Sequence, residues 1–181
     1  MARPPRDAAA GFHHIGVGAA GPAEYFRDDI DRLNWTRLLV RTLGRYDWTC
    51  IALCQLSTHW HAIVEIPDAS LPDGMHYLNS AYGRAFNARH DRVGYLVRDR
   101  YWSRRKATDT ELLTAFRYVA LNPVEAGVEE RPEDCLWSSY ATTVGLAETF
   151  PFVDPTVVLM QFGPTRAAAI AGLQRFVGNG L

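Results

Sequence analysis

The chain has 181 residues, of which 48% are hydrophobic and 22% are charged. This composition is typical of a soluble globular protein with one domain of ordinary size. No apolar run is long enough to span a bilayer, and residues 1–7 lack the apolar stretch of a signal peptide, so we expect a cytoplasmic protein. The three cysteines are odd in number and lack the spacing of a zinc site, which favours free thiols in a reducing compartment.

The net charge is only −1, but the basic residues are concentrated in one segment. Residues 84–106 contain eight Arg and Lys against two Asp, which leaves +6, whereas the remaining 11 basic and 18 acidic residues leave −7. Such segregation is typical of one anion-binding face, as on proteins that bind nucleic acid. A solvated arginine-rich loop is the alternative explanation.

The first half of the chain has the pattern of strands and one long helix. A strand is predicted over residues 11–17, and a helical stripe begins at Asp28 or Asp29 and extends to about Arg45. Two apolar runs at 47–56 and 59–66 predict a hairpin that turns at residues 57–58.

The second half begins with a loop over residues 67–74. A helix is predicted from there to about Arg89, followed by a short strand over 94–97. Further helices are predicted over 109–121, where Asn122-Pro123 ends the pattern, and over 132–144. The order β-α-β-β-α-β followed by helices indicates an α+β fold, an antiparallel sheet with helices packed on one face.

His59 and His61 are two residues apart in the predicted strand over 59–66. Alternate side chains of a strand project to the same face, so both imidazoles project together and Trp60 projects to the opposite face. Two adjacent imidazoles on a rigid strand are a suitable pair of ligands for a divalent cation. Two histidines on a half-exposed strand are the alternative.

The helix that follows this strand carries Tyr82, and we expect it to pack back across the strand's face. A tyrosine hydroxyl, with its usual pKa of about 10, is a poor nucleophile. It becomes useful when a metal polarises the attacked phosphate and the hydroxyl is held in line. Alternatively, Tyr82 is a core aromatic that shares a stripe with Leu78 and Phe86.

Seven blocks spread over nearly the full length carry a resemblance to a known family. They are residues 14–18, 26–32, 59–64 (HWHAIV), 75–90, 94–103, 117–127 (RYVALNPVEAG) and 132–140. In these blocks the chain resembles the single-tyrosine HUH transposases, in particular the REP-associated tyrosine transposases and their insertion-sequence relatives. Their HUH motif is a pair of histidines separated by a bulky apolar residue, which matches His59-Trp60-His61.

The resemblance implies a ferredoxin-like catalytic domain over residues 1–148 and a C-terminal helical extension or tail over 149–181. It also implies a bound Mg²⁺ or Mn²⁺ and an attack by tyrosine on single-stranded or hairpin DNA. That attack gives a 5′-phosphotyrosine and a free 3′-hydroxyl, and its reversal by another 3′-hydroxyl joins strands. A hairpin-DNA-binding protein without cleavage activity is the alternative. The long tail favours a monomer, with a dimer as the alternative.

Carried onto this sequence, the resemblance assigns His59, His61 and Tyr82 as catalytic residues. The insertion-sequence relatives have a third metal ligand one turn after the tyrosine, but Phe86 occupies that position and cannot ligate. Asn87 is therefore the predicted third ligand, with Asn79 and Glu65 as alternatives. The predicted DNA contacts are arginines for phosphate and aromatics for stacking on bases: Arg84, Arg89, Arg98, Arg100, Tyr101, Trp102, Arg104 and Arg105.

Overall fold

The computed structural model describes residues 8–19, 24–97 and 100–179. The strands in these residues are β1 (Gly11–Gly18), β2 (Thr49–Gln55), β3 (His59–Ile66) and β4 (Trp102–Lys106). The helices are α1 (Asp29–Tyr46), α2 (Leu71–Arg89), α3 (Asp109–Glu125), α4 (Tyr140–Thr143), α5 (Thr156–Leu159) and α6 (Arg166–Gly178). A short 3₁₀ turn at Pro132–Asp134 precedes α4.

The four strands form one sheet in the order β2-β3-β1-β4, and each neighbouring pair is antiparallel. The long helices α1 and α2 connect β1 to β2 and β3 to β4, so both connections cross over an intervening strand. Right-handed crossovers place both helices on the same face of the sheet. This is the ferredoxin-like arrangement, which confirms the predicted α+β fold.

The first core lies between the sheet and the helices α1 and α2. Asp28 caps α1 by accepting a hydrogen bond from the Asp31 N–H, and Trp35 on this helix is fully buried. On β3, Trp60 is also fully buried, and its rings lie 4.6 Å from those of Trp35. Helix α2 completes the layer with a stripe that includes Tyr82. This face of the sheet is therefore sealed by aromatic packing.

A second core covers the opposite face of the sheet, where the predicted fold had no helix layer. Ile51 and Ile63 of the sheet pack there against Phe116 of α3 and Leu173 of α6. The segment after residue 148 contributes to both cores, since Val153 packs in the first core and α6 in the second. The sheet is therefore enclosed between two helical layers.

Three predicted elements differ from the structure. Residues 94–97 are irregular, and the fourth strand is β4, an edge strand of sequence WSRRK that hydropathy does not reveal. The predicted helix over 132–144 is reduced to the 3₁₀ turn and to α4, because the segment between them runs along β2. There Ser138 bridges Cys54, and the Ser139 N–H donates to the Leu53 carbonyl at 2.8 Å.

The third difference concerns α3, which continues through Asn122-Pro123 to Glu125. Pro123 has no N–H to donate, so α3 gives up one backbone hydrogen bond there without ending. The Ala126 N–H still donates to the Asn122 carbonyl at 3.0 Å. Asn122 is therefore part of α3, and its side chain projects from the same helix as the residues before it.

None of the helices in the described residues is long and apolar enough to cross a membrane. Cys50, Cys54 and Cys135 are buried free thiols.

Candidate functional site

The site lies on the sheet face that α3 covers. His59 and His61 both project to this face, because Trp60 between them is buried in the first core. Their ring centroids are 5.1 Å apart. The alternation of β3 thus brings the two imidazoles together, as the sequence predicted.

Helix α3 adds Tyr118 and Asn122, which are four residues apart and therefore on the same helical face. The Tyr118 ring lies 5.2 Å from the His61 ring and is 40% exposed. Asn122 is only 5% exposed, and its side chain lies against His59. Two strand residues and two helix residues thus face one another.

Two further aromatic rings border this group. His14 on β1 lies 5.4 Å from His61 and 5.5 Å from Tyr118, measured between ring centroids. Trp102 on β4 lies 4.6 Å from His14 and 5.5 Å from His61. Three adjacent strands and α3 therefore contribute to one cluster.

Burial keeps the histidines of this cluster neutral. Desolvation, assisted by the charge of His59, lowers the pKa of His61 to about 4. Desolvation also lowers the pKa of His14 to about 3, with His61, Lys106 and Arg104 adding to the effect. The pKa of His59 is lowered by burial as well, although the contact with Asn122 opposes this. Neutral imidazole is the form that binds a metal ion.

The donor atoms fit a divalent ion. The Nδ1 atom of His59 is hydrogen-bonded with the Thr58 hydroxyl at 2.9 Å, which leaves Nε2 as its ligating atom when Nδ1 carries the proton. The Nδ1 atom of His61 and the Oδ1 atom of Asn122 are buried without a hydrogen-bond partner. Over residues 8–19, 24–97 and 100–179, no three His, Cys, Asp or Glu side chains are grouped to hold a metal. An ion here would therefore need an oxygen of another type, which Asn122 offers.

An open groove of about 460 Å³ begins beside these residues. Its walls come from β1 and β4 on one side and from α3 on the other. The lining residues are His14, Trp102, Ser103, Arg104, Lys106, Thr114, Ala115 and Tyr118. Tyr118 thus stands between the paired histidines and a groove with two basic side chains.

The structure does not bring Tyr82 to the histidines, so the prediction that they face its helix is wrong. Tyr82 is 1% exposed in the first core, and its hydroxyl donates to the Tyr25 carbonyl at 2.7 Å. Burial raises the pKa of this hydroxyl further above its usual value. The sheet separates Tyr82 from His59 and His61, because α2 packs on the face of Trp60. The alternative, a core aromatic in the stripe of α2, matches its position.

The predicted third ligands are also misplaced. Asn87 and Asn79 both belong to α2, on the other side of the sheet from the histidines. The Asn87 amide donates to the Gly94 carbonyl at 2.7 Å, which fixes the loop after α2. Glu65 shares the face of His61 but lies four residues along β3, or roughly 13 Å away at the usual rise per residue. Ile63, buried in the second core, stands between them.

The predicted DNA-contacting residues fall in different places. Trp102 and Arg104 line the groove, whereas Tyr101 is 8% exposed and belongs to the first core. Arg89 is engaged within the protein, with ion pairs to Asp28 at 2.7 Å and to Asp31 at 2.6 Å.

Of the other predicted contacts, Arg84 is exposed on α2, away from the groove, and Arg100 is exposed just before β4. Arg105 points to the opposite face of β4 from Arg104, and its Nε atom donates to the Ala10 carbonyl at 3.2 Å. Arg98 lies outside the described residues.

Sequence reasoning missed Tyr118 and Asn122, although a signal for them was present. The resemblance implied a metal ligand one turn after the tyrosine. Phe86 does not supply one after Tyr82, whereas Asn122 stands at that spacing after Tyr118. The Asn122-Pro123 pair instead indicated a helix end. For His14 there was no such signal, since the pattern of β1 does not distinguish a buried site histidine from a surface one.

A solved structure of a REP-associated tyrosine transposase bound to a REP hairpin matches this architecture with a TM-score of 0.69. The match covers 86% of this chain and 94% of the other, at 16% sequence identity. This chain shares its fold. Among protein-family models and curated proteins, none matches the sequence. At this identity the likeness establishes the fold.

Proposed function

We propose that the chain is a metal-dependent, single-tyrosine DNA nicking and joining enzyme of the transposase type, with Tyr118 as its nucleophile. The observation that carries the proposal is the grouping of Tyr118 and Asn122 with the His59–His61 pair beside a basic groove. The transposase with the same fold is bound to a hairpin of DNA, which supports single-stranded or hairpin DNA as the substrate.

His59, His61 and Asn122 would hold the ion, Mg²⁺ or Mn²⁺, through two nitrogens and one oxygen. Such an ion supplies Lewis-acid polarisation of the phosphate. The protein's own side chains carry out the other steps of the reaction. Because the three ligands come from β3 and α3, the packing of these two elements sets their spacing.

Tyr118 performs the displacement. Its hydroxyl oxygen forms a bond to the phosphorus of a DNA phosphodiester, while the bond from phosphorus to the 3′ oxygen breaks. The phenolic proton passes to water in the open groove, and the departing oxygen takes up a proton to become a 3′-hydroxyl. Attack by another 3′-hydroxyl reverses these changes and joins strands, so no external energy source is needed.

The test is a covalent adduct between the full chain and DNA. Hairpin oligonucleotides with randomised single-stranded flanks, labelled at the 3′ end, are incubated with Mn²⁺ or Mg²⁺ and separated under denaturing conditions. We expect the 3′ label to migrate with the protein, and a 5′ label to be released on a shorter strand. Chelation by EDTA should abolish the adduct.

A hairpin-binding protein without cleavage is the second candidate, and the groove with Arg104 and Lys106 supports it, because contacts to phosphate need no catalytic metal. It predicts binding of the same hairpins with no adduct under either metal. That result would exclude the nicking enzyme. Blunt duplex DNA is the matched control, because its paired strands do not expose single-stranded phosphates to Tyr118.

A further inference from the structure

Trp102 is an aromatic ring supported on one side and open on the other. A Cβ atom at residue 16 would lie within 2.8 Å of three atoms of the indole, so the ring rests directly on the Gly16 backbone. The His14 ring meets the indole edge-on, at 4.6 Å and 80°. Trp102 nevertheless remains 38% exposed, and it lines the groove. The sheet thus fixes a large flat surface toward solvent.

The groove around this ring has the charge of a phosphate-binding surface. Arg104 and Lys106 follow Trp102 at alternate positions of β4, so all three project to the same side of the sheet. Both cations line the groove, and Thr114 and Tyr118 of α3 form the opposite wall. Its volume, about 460 Å³, falls within the range of small-ligand sites, about 300–1,000 Å³.

We propose that this groove is a slot for one unpaired nucleobase, which stacks on Trp102 while the adjoining phosphates contact Arg104 and Lys106. The slot rests on the proposed function, since it would take the nucleotide next to the phosphate that Tyr118 attacks. Trp102 and Tyr118 both lie within 5.5 Å of His61, between ring centroids, so the base and the attacked phosphate belong to the same or adjacent nucleotides.

This occupant follows from the shape and chemistry of the groove. A base within a duplex is stacked and paired, and it has to leave the helix before it can enter a side-chain pocket. A single-stranded base meets no such cost, and every base has a face that can stack on an indole. The slot therefore gives the enzyme a preference for unpaired DNA that does not depend on a particular sequence.

The test measures binding without cleavage, in the full chain with Tyr118→Phe. Fluorescence anisotropy compares a 20-nucleotide dT strand with a 20-unit abasic strand, which has the same phosphates but no bases. Trp102→Ala should weaken binding to the dT strand by about 5- to 150-fold, the range that corresponds to about 1–3 kcal/mol per stacked base. Binding to the abasic strand should not change.

Two variants control for folding and for aromatic content. Trp102→Phe keeps a flat ring and should retain most of the affinity for dT. Tyr77→Ala removes an aromatic ring on α2, on the other side of the sheet, and should change neither affinity. Thermal melting of each variant checks that it is folded.

Equal binding of dT by the Trp102→Ala and parent proteins would overturn the slot, as would an equal loss on the abasic strand. If the slot fails while wild type still forms the covalent adduct, the proposed nicking activity stands. If the loss is specific to dT but wild type forms no adduct, the slot stands and the nicking activity does not.

Discussion

Two matched substitutions, Tyr118→Phe and Tyr82→Phe, should have opposite effects on the covalent DNA adduct and on the stability of the fold. Tyr118→Phe removes a hydroxyl from a side chain that is 40% exposed, so it should leave the stability of the fold within about 0.5 kcal/mol. Because that hydroxyl is the proposed nucleophile, the covalent adduct should disappear entirely, whereas binding of the hairpin should remain.

Tyr82→Phe should do the reverse. The substitution removes the donor that the Tyr25 carbonyl accepts at 2.7 Å inside the first core. Leaving a buried acceptor without its donor costs roughly 1–3 kcal/mol. For a chain of this size that corresponds to a fall in melting temperature of roughly 2–12 °C. The adduct should still form at a temperature where the variant is folded.

The assay combines thermal unfolding with the denaturing-gel adduct test on the 3′-labelled hairpins. An adduct from the Tyr118→Phe protein would refute the assignment of the nucleophile. So would loss of the adduct from a Tyr82→Phe protein whose melting temperature is unchanged, because the effect would then be chemical. A melting temperature that falls together with an intact adduct agrees with the structure.

Three further tests use other substitutions, two of them as matched pairs. Asn122→Ala removes the proposed oxygen ligand and should weaken Mn²⁺ binding, measured by calorimetry, by at least about tenfold; unchanged affinity would remove Asn122 from the ligand set. Gly16→Ala places a Cβ at 2.7 Å from the Trp102 indole and should destabilise the fold by about 1–3 kcal/mol, measured by urea unfolding. Gly18→Ala is the control and should not destabilise the fold, because its Cβ would have no contact closer than 3.8 Å. Arg89→Ala removes the 2.6 Å ion pair of the buried Asp31 and should lower stability without changing the salt dependence of DNA binding. Arg104→Ala should reduce the slope of log affinity against log salt by about 0.7. A reduced slope for Arg89→Ala and an unchanged slope for Arg104→Ala would instead place the DNA on α2.

The sheet and its first layer of helices could be predicted because hydrophobic periodicity records which side chains are buried. The alternation of β3 placed His59 and His61 on one face, and the stripes of α1 and α2 gave their lengths to within a few residues. The pattern failed at β4 and after residue 130. There, an exposed polar strand and a segment pairing with the edge of β2 have no apolar period to detect.

The position of the proposed nucleophile could not be predicted from the order of elements along the chain. Helix α2 directly follows β3, which suggested that Tyr82 meets the histidines. The right-handed crossover from β3 over β1 to β4, however, places α2 on the face of the sheet to which Trp60 projects. Whether Tyr82 or Tyr118 lies near the histidines depends on which face of the sheet each helix covers. The order of the elements along the chain does not show this.

The burial of Trp60 in the first core fixes the face of the sheet to which His59 and His61 project. If β3 slipped by one residue against β1, every side chain would change faces. Both imidazoles would enter the aromatic first core, and the indole would leave its contact with Trp35 for the face under α3. Such a slip would cost the packing of Trp60 in the first core, so misregistered pairings are strongly disfavoured during folding. His59 and His61 are consequently aligned by a residue that projects to the other face of the sheet. Mutagenesis that tests the proposed nicking activity should therefore include Trp60, although it lies away from the candidate site.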